Sequence, residues 1–117
     1  MRTFRNLQIW QKSMTLVTYN YQLTQQFPKE ETFGLTAQIR RSLISIPSNI
    51  AEGYGRKSNK EFTRFLNIAV GSLFEYQTQI EIAKNINYIR SEEFDYLYNK
   101  TRELEAMMSS LIKKTNS

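Results

Sequence analysis

Apolar residues recur along this chain at intervals of three and four, which is the spacing of one face of an α-helix. Four long segments show the pattern, and only four glycines and two prolines interrupt the sequence. The connections near residues 27 to 30, 54 to 58 and 85 to 91 are short, so consecutive helices must run antiparallel. The sequence therefore predicts an all-α protein, an antiparallel up-down-up-down four-helix bundle forming a single domain over residues 1–117.

The first two predicted helices flank a proline. The first helix runs from about residue 7 to residue 26, and Phe27-Pro28 closes it because the residue before a proline avoids helical geometry. The second is predicted to begin between Lys29 and Thr32 and to end at Gly53-Tyr54-Gly55, where glycine favours a left-handed cap. Because its apolar stripe continues past Pro47, we expect that proline to kink the helix and not to end it. The stripes of the two helices are Trp10, Met14, Val17 and Tyr21, then Leu35, Ile39, Leu43, Ile46 and Ile50.

The third and fourth helices carry clearer start signals. Ser58 and Glu61 have the spacing of a capping box at the start of the third helix, and Ser91 is the expected cap of the fourth. The third helix has additional apolar residues off its main stripe, so we expect it to be buried around much of its circumference. Their stripes are Phe62, Leu66, Ala69, Leu73, Tyr76, Ile80 and Ala83, then Phe94, Leu97, Thr101, Leu104, Met108 and Leu111.

Composition removes several classes of chemistry. The chain has no cysteine and no histidine, so thiolate and imidazole metal ligands, cysteine nucleophiles and the commonest general base are absent. No stretch approaches the roughly 20 apolar residues that a membrane span needs. We therefore expect a cytoplasmic protein without a cofactor, a metal or a membrane partner, and not an enzyme.

Positive charge is concentrated in the middle of the chain, where residues 36–64 hold six basic side chains against Glu52 and Glu61, a net charge of +4 out of +5. Such a concentration attracts polyanions such as RNA or DNA, although arginine and lysine also solvate ordinary helix faces. Tyr54 lies within the cluster and could stack on a base or pack within the turn. The candidate nucleic-acid-binding residues are Arg40, Arg41, Arg56, Lys57, Lys60 and Arg64.

A polar stripe lies beside the apolar stripe of the second helix, and the third helix carries a partner series. Folding the hairpin about residue 56 brings Arg41 near Gly71 and Glu75, and Glu52 near Lys60; Gly71 would allow a close backbone approach. We favour a fully paired structural network that fixes helix register or a subunit interface, with a ligand groove as the alternative. The network residues are Gln38, Arg41, Ser45, Asn49, Glu52, Ser72 and Glu75, with Gln79 extending the series.

These residues also form a recognisable pattern. Asn49-Ile50-Ala51-Glu52-Gly53 is followed by Ala69-Val70-Gly71-Ser72, and further matching residues precede and separate the two runs. From Trp10 to about Ile112 the chain resembles the four-helix-bundle proteins encoded in 23S rRNA intervening sequences. The other matching residues are Phe27-Pro28, Glu31, Gly34-Leu35, Gln38-Ile39-Arg40-Arg41, Ser45-Ile46, Arg56, Glu61-Phe62, Phe65-Leu66, Ile68-Ala69 and Glu75.

The resemblance implies an antiparallel bundle that assembles into a ring-like homo-oligomer, a pentamer. It also implies an architecture similar to the accessory variability proteins of diversity-generating retroelements, which are basic pentamers that bind nucleic acid and a reverse transcriptase. Two functions follow as alternatives: an oligomeric module that binds RNA or DNA, and a structural or protein–protein interaction scaffold with a protein partner and no nucleic-acid role. Fold likeness alone does not decide between them.

Overall fold

The computed structural model describes residues 2–116, and within them the chain forms four α-helices and no strand. The helices are α1 (Gln8–Thr24), α2 (Leu35–Gly55), α3 (Asn59–Asn85) and α4 (Ser91–Thr115). Short 3₁₀ turns at Phe4–Asn6 and Lys29–Glu31 precede α1 and α2. The predicted fold class is confirmed. The second helix starts later than predicted, because the 3₁₀ turn occupies the residues that were expected to begin it.

Side-chain contacts establish the antiparallel order. Between α2 and α3, Ser45 meets Ser72 and Ser42 meets Gln79, so residue numbers fall on one helix as they rise on the other. The same relation holds for α3 and α4, where Thr63 meets Thr115 and Gln77 meets Thr101. On the fourth side Lys12 meets Glu103 and Tyr19 meets Tyr96 across α1 and α4. The four helices therefore close an up-down-up-down bundle.

The core follows the predicted stripes of α2, α3 and α4. Their central apolar side chains have no exposed area, while Leu35, Phe62 and Leu111 at the stripe ends are half-buried. Helix α2 continues through the buried Pro47, as predicted. The fully buried stripe residues are Ile39, Leu43, Ile46, Ile50, Leu66, Ala69, Leu73, Tyr76, Ile80, Ala83, Leu97 and Met108.

The stripe predicted for α1 is wrong by one position. Met14 and Tyr21 are exposed, and Trp10 and Val17 are only half-buried. The buried face carries three polar side chains, each of which donates to a carbonyl three or four residues earlier, so its burial leaves no polar group unpaired. The buried face of α1 is Ile9, Ser13, Leu16, Asn20, Leu23 and Thr24.

Three expectations about helix ends are also wrong in whole or in part. The left-handed residues next to the helix ends are Lys57 (φ 57°) and Asn87 (φ 67°), while no glycine has positive φ within residues 2–116. Ser58 accepts from the backbone N–H of Glu61 at 3.3 Å, but the Glu61 carboxylate turns to Arg64, so the capping box is half formed. The cap of α4 is Arg90, one residue before the predicted Ser91.

The third helix is less enclosed than its composition predicts. Ile68, Phe74 and Ile82 lie on its outer side and are 41%, 47% and 44% exposed. Gly71 is exposed as well, and a Cβ there would meet nothing within 4 Å, so Gly71 is not where α2 and α3 approach closely. That approach occurs at Gly53, where a Cβ would lie 2.5 Å from the Cβ of Phe65.

The two glycines make a matched test. We expect Gly53→Ala to lower the free energy of unfolding by about 1–3 kcal/mol, because the added methyl forces α2 away from Phe65. Gly71→Ala should raise it by up to about 1 kcal/mol through helix propensity alone. Urea melts of both variants measure the difference, and equal effects would contradict the assigned close approach.

A buried hydrogen bond provides a second test. The hydroxyl of Tyr76 donates to Oδ1 of Asn20 at 2.7 Å, and both side chains are fully buried. Tyr76→Phe should cost about 1–3 kcal/mol because it strands a buried acceptor. Adding Asn20→Leu to that variant should cost less than the two single changes combined, since the pair is then replaced by apolar groups. A double-mutant cycle by denaturant melting measures this coupling, and additive losses would argue against the bond.

Candidate nucleic-acid interface

The predicted basic cluster does not form one surface. The Arg40 guanidinium turns toward α1, where Nε donates to Oγ1 of Thr24 at 3.0 Å and Nη2 donates to the carbonyl of Tyr21 at 3.2 Å. It also lies 4.3 Å from the centroid of the Tyr21 ring. Sixteen residues of helix, about 24 Å at 1.5 Å per residue, separate it from Arg56. Arg40 therefore fastens α1 to α2 and is half-buried.

Four of the cluster residues do lie together, at the α2–α3 turn. Arg56 pairs with Glu52 at 3.0 Å and Arg64 pairs with Glu61 at 3.1 Å. The hydrogen bond from Arg64 lowers the pKa of Glu61, so this carboxylate stays ionised beside its partner. Lys57 and Lys60 are exposed. The turn keeps its positive charge, although two of its cations are locally neutralised.

Folding adds four basic side chains that the sequence pattern did not indicate. The 3₁₀ turn before α1 contacts α2, and Thr115 near the end of α4 lies 2.6 Å from Thr63 at the start of α3. Both ends of the described range, residues 2–116, therefore reach the α2–α3 turn. We call this the basic end, and its cations are Arg2, Arg5, Arg56, Lys57, Lys60, Arg64, Lys113 and Lys114.

The charge separation along the bundle is large. The basic end holds eight basic side chains against the carboxylates Glu52 and Glu61, a net charge of +6. The rest of the chain holds eight basic and nine acidic side chains, a net charge of −1, which together gives the overall +5. The predicted topology contained the signal for this, since an up-down bundle puts both termini and the middle turn at one end.

Aromatic rings at the basic end pack against one another or beneath guanidinium groups. Tyr54 is half-buried and meets Phe62 edge-on, with 5.9 Å between ring centroids. Phe65 lies beneath two guanidinium groups, 5.2 Å from that of Arg56 and 4.5 Å from that of Arg64. Tyr54 is thus a packed residue of the turn, the plainer of the two interpretations that its position allowed.

A polar groove of about 340 Å³ lies between α2 and α3. At its centre the Oγ atoms of Ser45 and Ser72 share a hydrogen bond of 2.8 Å. Asn49 Nδ2 donates to the Ser45 carbonyl at 2.7 Å and to Ser45 Oγ at 2.9 Å. Ser42, which the sequence pattern did not indicate, donates to Oε1 of Gln79 at 2.8 Å. These bonds form a small network that links the two helices.

The charged members of the predicted network do not join it. Arg41 and Glu75 line the same groove from facing helices, but both are exposed and form no ion pair within residues 2–116. Gln38 lines the groove and is exposed, and Glu52 pairs with Arg56 and not with Lys60. The prediction of a fully paired network is therefore wrong, because exposed side chains remain solvated and need no partner.

The described part of the chain shows neither a metal centre nor a membrane-spanning helix. No group of three or more carboxylate, imidazole or thiolate side chains comes together there in a way that could hold a metal ion. No helix there combines the length and the apolar composition that a membrane crossing requires. What the arrangement offers chemically is a cationic end and hydrogen-bonding groups in an open groove.

The architecture defines an all-α protein of the antiparallel four-helix-bundle class. The family model described as 23S rRNA-intervening sequence protein matches residues 5–110, so this chain belongs to that family. It is also similar to a protein of unknown function from the S23 ribosomal protein family of Bacteroides thetaiotaomicron, solved at 1.70 Å. That likeness has a TM-score of 0.83 and 27% sequence identity, and covers 90% of this chain and 98% of the other. No curated protein matches the chain.

The groove geometry gives a stability prediction. Because Glu75 is exposed and has no ion-pair partner among the described residues, Glu75→Ala should change the free energy of unfolding by less than about 0.5 kcal/mol. Ser72→Ala removes the bond to Ser45 and should cost about 1 kcal/mol. Guanidinium melts of the two variants measure both. A loss near 3 kcal/mol for Glu75→Ala would mean that Arg41 and Glu75 form a desolvated pair after all.

Proposed function

We propose that this chain is a non-catalytic nucleic-acid-binding module that works as a ring-like homo-oligomer, a pentamer as the family resemblance implies. The observation that carries the proposal is the basic end. There a net charge of +6 is concentrated at one end of a bundle that is about 22 by 23 Å in cross-section. A concentrated cationic face attracts polyanions and releases counterions from their phosphates on contact.

The basic end supports phosphate contact better than base reading. Its cations lie on long side chains at helix ends, where they can reach phosphates of differently shaped backbones, as in binding that positions without reading sequence. Lys57 and Lys60 are the two exposed cations of the α2–α3 turn that its ion pairs leave out, since those pairs involve Arg56 and Arg64. RNA and DNA are both ligands of this chemistry.

Titration against labelled RNA hairpins and DNA duplexes at several salt concentrations tests the proposal. Binding should weaken steeply as salt rises, and Lys57→Gln with Lys60→Gln should weaken it about tenfold or more at roughly 100 mM salt. The salt slope should fall by about one for each phosphate that the variant no longer neutralises. Sequence changes in the probe should have little effect.

A matched control separates local charge from overall charge. Lys29→Gln with Arg90→Gln removes the same charge from the opposite end of the bundle, where both residues are exposed. This variant should bind as tightly as the parent. Absence of binding at low salt, or an equal loss in the control, would overturn the nucleic-acid role.

A protein-interaction scaffold is the second candidate. The apolar side chains on the outer face of α3, exposed in the single chain, favour it, because exposed apolar residues aligned on one face mark association surfaces. The same titration distinguishes the candidates, since a scaffold has no salt-dependent affinity centred on Lys57 and Lys60.

A further inference from the structure

Helix α3 carries an apolar ridge that faces away from its own bundle. The ridge consists of Ile68, Gly71, Phe74, Thr78 and Ile82, which follow one another at intervals of three, three, four and four and are all exposed. Residues at these intervals share one face of a helix. Single exposed hydrophobic residues are ordinary, but three aligned on one face form a patch that water solvates poorly.

Gly71 in the middle of the ridge has no role inside the chain. It lies within a long helix, where glycine is unfavourable, and nothing lies within 4 Å of the position that a Cβ would take. A residue without a side chain between Ile68 and Phe74 leaves space at the surface for a second molecule.

A concave apolar surface lies elsewhere on the same bundle. The seam between α1 and α4 forms a groove of about 210 Å³, which we call the seam groove. Its floor is Leu16, Leu97 and Leu104, and the rings of Tyr19 and Tyr96 stand at its edge with centroids 5.6 Å apart. Tyr96 is 50% exposed and Tyr19 is 37% exposed, so the groove is open to a partner.

The two surfaces have opposite charge. Residues 68–82, which carry the ridge, contain Glu75 and Glu81 and no basic residue, a net charge of −2. The seam groove is lined by Lys12 and Lys100 against Glu103, which pairs with Lys12 at 2.9 Å, a net charge of +1. A second copy of this chain therefore offers an apolar groove whose net charge is opposite to that of the ridge.

We propose that the ridge of one copy inserts into the seam groove of the next, with Phe74 meeting the rings of Tyr19 and Tyr96. This inference rests on the homo-oligomer of the proposed function and names its interface. Because ridge and groove are different surfaces, the contact is heterologous, head to tail. Each copy keeps one ridge and one groove for its neighbours, and a closed ring of any number of subunits, including five, satisfies both.

Two complementary variants test the contact. Phe74→Glu disables the ridge and Tyr96→Glu disables the groove; both positions are about half exposed, so melting curves should show folded chains. Each variant alone should sediment as a monomer. An equimolar mixture should give heterodimers, because the intact groove of one variant receives the intact ridge of the other. Ile44→Glu, 42% exposed and outside both surfaces, is the matched control and should assemble like the parent.

Cysteine pairs give an independent readout, since the chain has no cysteine of its own. Ile68→Cys on the ridge and Thr15→Cys in the seam groove lie at similar distances from the basic end, since α1 and α3 both start there. Mixed as single variants and oxidised, they should form a disulfide between the two different chains. A disulfide between two Ile68→Cys chains formed in higher yield would indicate ridge-to-ridge contact and would overturn the proposal.

The outcomes separate this inference from the proposed function. If the parent is oligomeric and both glutamate variants remain so, the interface lies elsewhere and only the inference fails. If the parent sediments as a monomer at every concentration, the oligomer itself fails and the inference with it. Nucleic-acid binding is judged separately, by the lysine variants of the basic end.

Discussion

The bond from Tyr76 to Asn20 is the constraint on which the arrangement of the bundle depends. It joins α1 to α3, which lie diagonally across the core, and both side chains are sealed from water. Burial raises the pKa of Tyr76, so the phenol stays protonated and remains a donor. A shift of either helix by one turn would leave two buried polar groups unpaired, so this bond fixes helix register. Register in turn decides which charged residues meet at each end of the bundle.

Buried polar side chains also explain which elements the sequence could predict. Helices α2, α3 and α4 bury almost purely apolar faces, so the spacing of Leu, Ile and Ala located their cores correctly. The face of α1 alternates leucine and isoleucine with Ser13 and Asn20, which satisfy themselves on nearby carbonyls. A prediction based on hydrophobic period counts such residues as solvent-facing and moves to the neighbouring stripe. Its error was one position, enough to place Met14 and Tyr21 inside.

The contacts of the charged side chains were harder to predict than the core, because a long side chain can reach several different partners. Arg40 and Arg41 are adjacent in sequence, yet one reaches Thr24 and Tyr21 on α1 while the other faces the groove toward α3. Glu52 lies one helical turn before Arg56 and pairs with it. Sequence spacing identified that α2 faces α3 and placed Ser45 and Ser72 on their polar stripes. It could not decide which exposed charges pair, since such pairs gain little energy over hydration.

The proposed assembly and the proposed nucleic-acid binding use different sides of this molecule. The ridge and the seam groove run along the sides of the bundle, whereas the basic residues gather at one end. Copies joined side by side under cyclic symmetry point the same way, so their basic ends lie on one face of the ring. Contacts that are weak in a single copy then act together on one polyanion, because each binding event raises the effective concentration of the next. The proposed ring thus gives a four-helix bundle with modest charge per chain a multivalent surface for the proposed nucleic-acid ligand.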